Sequence, residues 1–161
     1  MALCACGASE VHLRLGRVED AVAQAHRAWR LVSEFPRMLG HERVLAATLT
    51  ALASTYAAKG DPERAGTLLQ QAGNSFAAVA RTPGTYMFVA STPDLAAGLA
   101  RAHLRCHRPG LARQFLDQAV RFGWRDEQWW RTDPHLAVLR DTGALDSLFA
   151  SMPALPALVW Q

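Results

Sequence analysis

Isoleucine is absent from this chain, and lysine is reduced to Lys59. Alanine and leucine far outnumber valine, so the β-branched residues that favour strands are scarce and a sheet protein is disfavoured. No apolar run approaches the roughly 20 residues of a membrane span. Cysteine is rare too: Cys4, Cys6 and Cys106 are odd in number and unevenly spaced, which excludes a disulfide framework. They are expected to be buried small residues in a reducing compartment. Met1-Ala2-Leu3-Cys4-Ala5-Cys6-Gly7 lacks the basic start and long apolar stretch of a signal peptide, so the expected location is the cytoplasm.

Catalytic signatures are missing as well. There is no glycine-rich phosphate loop, nucleophile elbow or zinc-protease helix motif, so the expectation is a protein that is not an enzyme and carries no cofactor. The net charge is only +3, and the arginines are scattered rather than gathered in a stripe, which argues against nucleic acid as a partner.

What is present is helical. At 161 residues the chain is read as a single domain, long enough to bury roughly two-thirds of its unfolded surface. Gly16-Arg17 separates a short first helix from a second over about 18–35, which carries Ala21, Ala25, Ala28, Trp29 and Val32 on one face. Pro36 ends that helix. A third runs over about 41–59 with Val44, Leu49, Leu52 and Tyr56 on its inner stripe, and Gly60 marks its end. Asp61 caps a fourth helix that has Pro62 at its first position and reaches about Ala80. Thr92-Pro93-Asp94 restarts a helix to about Cys106, Arg108-Pro109-Gly110 breaks it, and Leu111–Phe122 is its partner. Short helices follow over 125–131, over 134–140 capped by Asp133, and over 144–151.

The spacing repeats. Gly16, Ala21, Ala25 and Ala28 recur 44 residues later as Gly60, Ala65, Leu69 and Ala72; Ala65, Leu69 and Ala72 recur 47 later as Ala112, Leu116 and Ala119. Small residues at fixed offsets let paired helices approach closely where they cross.

These residues resemble the tetratricopeptide repeat family. The second unit carries the resemblance best, through Leu49, Leu52, Ala53, Tyr56, Gly60-Asp61, Ala65, Leu69 and Ala72. The third is looser and has His107 where the turn glycine is expected; the first matches mainly in its second helix. The shifts exceed the 34 residues typical of the family and look more like the extended repeats of bacterial regulators and kinesin light chains. Asp133-Pro134-His135-Leu136-Ala137-Val138-Leu139-Arg140-Asp141 is similar to segments that close such arrays.

The resemblance implies an all-α fold of antiparallel helix-pair repeats, a short right-handed α-solenoid with repeats at about 2–36, 46–80 and 93–124 and a C-terminal cap at about 125–152. It implies a concave groove for a protein or peptide partner, lined by Ala47, Thr50, Ser54, Ala57 and Ala58 from the second unit. The third unit supplies Asp94, Ala97, Arg101, Leu104 and Arg105. Such a module serves as a scaffold, with a peptide-responsive sensor as the alternative. Self-association through the first repeat, whose opening helix makes a poor polar cap, is another alternative. That poor cap also suggests a fragment of a larger protein.

Several motifs carry two readings. Arg101 and Arg105 stand one helical turn apart, either as two forks for a carboxylate or as ordinary solvated arginines. Trp129-Trp130 either leaves one indole exposed as an interface anchor or wedges both under the cap. Tyr86-Met87-Phe88-Val89 is either a tucked apolar loop or an adhesive patch. Cys4-x-Cys6 and His103-x-x-Cys106-His107 hold ligand types, but nothing brings them together, so no metal is expected and His103 is read as replacing the repeat's tyrosine. Asp126-Glu127 opens a short helix, and Asp133, Asp141 and Asp146 are read as caps and turn residues.

Overall fold

The computed structural model describes residues 1–36, 40–81, 91–124, 127–150 and 152. The described residues are all-helical, with no strand among them. In chain order they form α1 (Ala2–Arg14), α2 (Val18–Glu34), α3 (His41–Ala58), α4 (Pro62–Ala80), α5 (Thr92–Arg105) and α6 (Pro109–Arg121). Then come α7 (Glu127–Thr132), a 3-10 turn (Pro134–Leu136), α8 (Ala137–Asp141) and α9 (Ala144–Ala150). The Tyr86–Val89 motif and Asp126 lie outside the described residues.

The first six helices form three hairpins, each helix packing most extensively on its sequence neighbour. One turn geometry makes all three. Gly16, Gly60 and His107 have φ of +71°, +79° and +55°. At Gly60 the amide donates to the Ala57 carbonyl at 3.1 Å and the Asp61 amide to the Tyr56 carbonyl at 2.9 Å. The same two bonds recur as Gly16 to Leu13 with Arg17 to His12, and as His107 to Leu104 with Arg108 to His103. This six-residue closure satisfies carbonyls that a helix end would otherwise orphan, and it needs a left-handed residue at the turn. A histidine holds the third such place at a steric cost that glycine does not carry.

Counting from each turn residue brings the repeated positions into register. Ala21, Ala65 and Ala112 are fully buried, as are Ala28, Ala72 and Ala119, while Ala25, Leu69 and Leu116 are at most 1% exposed. On the preceding helices Ser9, Ala53 and Ala100 match them. α1, whose repeat pattern is the weakest in the sequence, joins the same scheme: the Ser9 hydroxyl donates to the Ala21 carbonyl at 2.9 Å. A small hydroxyl replaces alanine at the crossing and supplies its own acceptor, so its burial carries no unpaired donor.

Local signals explain most boundaries. Asp61 accepts from the Arg64 amide at 3.0 Å, and Asp133 from the His135 amide at 2.9 Å. The expected start of α6 at Leu111 is corrected to Pro109. The ring presets the helical φ, and its missing N–H is one that no first-turn residue would have bonded, so Pro109 opens the helix instead of breaking it.

Two apolar clusters hold the stack. The first joins α3, α4 and α5 around Leu49, Leu69, Phe76, Leu95 and Leu99. The second seats the closing helices on α5 and α6 through Leu104, Leu116, Trp130, Leu136, Leu145 and Leu148. Trp130 is fully buried, and Trp124 lies 4.6 Å from Trp129 and 4.7 Å from Trp130 between ring centroids. Both adjacent tryptophans are therefore engaged where the closing helices meet the third pair. Of the cysteines only Cys106 is buried; Cys4 is exposed and Cys6 half-buried, which corrects the expectation for those two.

Candidate functional site

α3 lies between α1 and α5, and it turns small residues toward the space between them. Ala47, Thr50, Ala51 and Ser54 floor a cleft of about 400 Å³. Large side chains there would fill it; the Thr50 hydroxyl instead folds back onto the Ala46 carbonyl at 2.7 Å. One wall is Leu3, Cys6, Gly7, Glu10 and Leu13 of α1, and the other is Asp94, Leu95, Gly98, Arg101 and Arg105 of α5. Gly98 keeps the second wall thin: a Cβ there would meet only Thr50 Cγ2, at 3.9 Å.

Of the residues expected in a groove, Ala47, Thr50, Ser54, Asp94, Arg101 and Arg105 line this cleft together. Ala57, Ala58 and Leu104 line an adjoining depression of about 320 Å³, which also reaches Leu13, Arg105 and His135. Ala97 lines neither; it is 4% exposed within the first apolar cluster.

The two arginines are neither free forks nor ordinary solvated side chains. Arg105 donates from Nη1 and Nη2 to the Glu10 carboxylate at 2.8 and 3.0 Å, and from Nε to His135 Nε2 at 3.2 Å. Arg101 places Nη1 3.3 Å from the same carboxylate and donates from Nε to Asp133 at 2.9 Å. Its guanidinium also lies over the Trp129 ring, 4.4 Å from the centroid. Arg14 completes the cluster with a 3.2 Å bond to Glu10. Glu10 thus bridges the cleft from α1 to α5, and Asp133 ties α5 to the closing helices.

Burial alone would push the Glu10 carboxyl up. The hydrogen bond and charge of Arg105, then the charge of Arg101 and the bond from Arg14, outweigh it and hold the pKa below its ordinary value. His135 is pushed down by burial first and by the Arg105 charge second. A neutral His135 keeps Nε2 as an acceptor, which the bond from Arg105 Nε requires. The cluster holds three guanidinium groups against two carboxylates, one positive charge in excess.

His103 sits under the third pair, 4% exposed and stacked on Phe115 at 5.3 Å with the rings 12° apart. Burial, then the nearby Arg108 charge, lowers its pKa to about 4. It holds the register place of Tyr56, which bonds His26 Nε2 at 3.0 Å. Burial raises the Cys6 and Cys106 thiols, so neither is an activated thiolate. Among the described residues no group of three His, Cys, Asp or Glu side chains is placed to hold a metal ion. No helix among them is long and apolar enough to cross a membrane.

Glu10, Asp133, His135 and Trp129 were not legible as partners of the arginines. Glu10 is the lone acidic residue of α1, a signal with nothing in the sequence to connect it to a residue 95 positions away. Compared with family models, curated proteins and solved structures, the chain matches none.

Proposed function

We propose that the three helix pairs form a short right-handed solenoid of the tetratricopeptide kind and that the chain is a non-catalytic protein- or peptide-binding module. The observation that carries this reading is the cleft between α1 and α5, with its floor of small α3 residues and a cluster of charges along one side. Its shape suits an extended segment: small floor residues admit a backbone, Leu3, Leu13 and Leu95 offer apolar contacts, and Asp94 and Ser54 offer polar ones. The ionisable groups beside it bond one another and so stand as structural ties, which supports binding over catalysis. Protein is favoured over nucleic acid because the cluster is nearly neutral.

The test is capture of partners by the intact chain and by Gly98→Met. The longer side chain enters the cleft from its thin wall, where a Cβ meets only Thr50 Cγ2. Partners that use the cleft are lost from Gly98→Met, tenfold or more, at a melting temperature no lower than the parent's. Equal capture by both proteins would show that the cleft is not the binding site.

A sensor reading is favoured by the Glu10 bridge, since a ligand that spread α1 from α5 would have to break it. In that case ligand binding speeds amide exchange in α1; a ligand that leaves exchange there unchanged belongs to a rigid scaffold.

A further inference from the structure

Among the described residues, the first helix pair leaves open the face by which each later pair stacks on the one before it. Counted from Gly16, Gly60 and His107, the α1 residues Cys4, Ala8 and Val11 hold the places of Thr48, Leu52 and Thr55 in α3. In α5 the same places belong to Leu95, Leu99 and Ala102. All six residues of the later helices are buried, none more than 6% exposed. Thr48 meets α1 directly, with its hydroxyl 3.6 Å from Cys6 Sγ. In α1 two of the equivalent places face outward, Cys4 exposed and Val11 56% exposed, while Ala8 between them is half-buried; Leu15, just past the end of α1, is 61% exposed.

Cys4, Ala8, Val11 and Leu15 follow one another at steps of four, three and four, the spacing of a helix-pairing seam, and none is charged. Laid antiparallel on itself, the stripe sets Cys4 against Leu15 and Ala8 against Val11, a small side chain opposite a larger one each time. Head-to-tail stacking of two chains is blocked, because the other end of the array is covered by α7–α9 through Trp130, Leu136 and Leu145. A contact of the same face with itself is the arrangement left to a second copy, and it closes at two chains. Continuity with the pair-to-pair interfaces inside the chain, the self-matching stripe and the blocked far end point to one occupant. We infer that α1 pairs antiparallel with α1 of a second copy about a two-fold axis, burying this stripe. The inference does not depend on the cleft reading, since the stripe and the cleft lie on different faces of α1.

Light scattering on the full chain from micromolar to submillimolar concentration tests it. The mass is expected to rise from 17.6 kDa to twice that value. Val11→Glu is expected to return it to one chain at every concentration, with helix content and melting of the monomer unchanged, as befits a surface position. A second variant reports the register. In Leu15→Cys, mild oxidation is expected to link the new thiol to Cys4 of the other copy, identified by peptide mapping of the linked dimer. A single-chain mass throughout would overturn the proposal and leave the face to another cover, such as a further helix pair. A dimer that Val11→Glu fails to split, or a link that excludes Cys4, would overturn it too.

Discussion

Arg105 grips both carboxylate oxygens of Glu10, at 2.8 and 3.0 Å, across a cleft that separates the first helix from the fifth. The Arg105 side chain is only 8% exposed and that of Glu10 25%, so the pair is desolvated well beyond a surface ion pair.

Glu10→Gln should therefore destabilise the fold by about 2 kcal/mol, because it keeps the shape but leaves two half-buried guanidinium groups short of charge. Chemical denaturation measures this. The lowered Glu10 pKa gives the sign with pH: its stabilisation is full above the ordinary value of 4.5 and is lost as pH falls through the lower, folded value. A Glu10→Gln protein as stable as the parent near neutral pH would show that the bridge contributes nothing.

His103 gives a second pH dependence. Its folded pKa of about 4 lies below the ordinary 6.5, so the unfolded chain binds more protons between those values. Stability is then full above pH 6.5 and falls as pH drops toward 4. His135, also lowered, works in the same direction. His103→Phe preserves the stack on Phe115 and should flatten, without abolishing, the fall in melting temperature across that window.

His107 pays for a left-handed backbone at φ +55° that glycine adopts freely, and its side chain is exposed. His107→Gly should raise stability by about 0.5–1 kcal/mol, the left-handed strain relieved exceeding the extra entropy of an unfolded glycine. For a chain of this size that is a melting shift of roughly 1–4 °C. The opposite sign would mean that the imidazole makes a contact worth more than the strain.

Trp130 is fully buried between the third pair and the closing helices and packs on Trp124 and Phe149. Trp130→Ala should cost about 4 kcal/mol through lost transfer energy and a residual cavity. Loss of amide protection should be greatest in α7–α9, which rest on this side chain, and least in the first pair.

Much of the helix content was legible because the signals are local. Gly60 needs a left-handed turn, Asp61 and Asp133 cap the next segments, and the alanines at fixed offsets mark the crossings. Those rules act within a few residues, so they survive without knowledge of the fold. Pro109 misled because a proline reads alike as a helix breaker and as a helix opener; the hairpin context selects the second. α1 looked weak because its crossing residue is Ser9, whose polarity is offset only by the Ala21 carbonyl of the neighbouring helix.

By itself the sequence determined an all-helical chain, the turn places at Gly16, Gly60 and His107, and the small α3 residues that became the floor of a cleft. Helical period and backbone sterics suffice for that. Which charges meet was decided by tertiary structure alone. Arg101 and Arg105 share a helix face by spacing, but their pairing with Glu10, Asp133 and His135 depends on how three distant segments converge. Ion pairs act over a few ångströms in space and leave no period in the chain, so the stacking of the helices had to bring them together first.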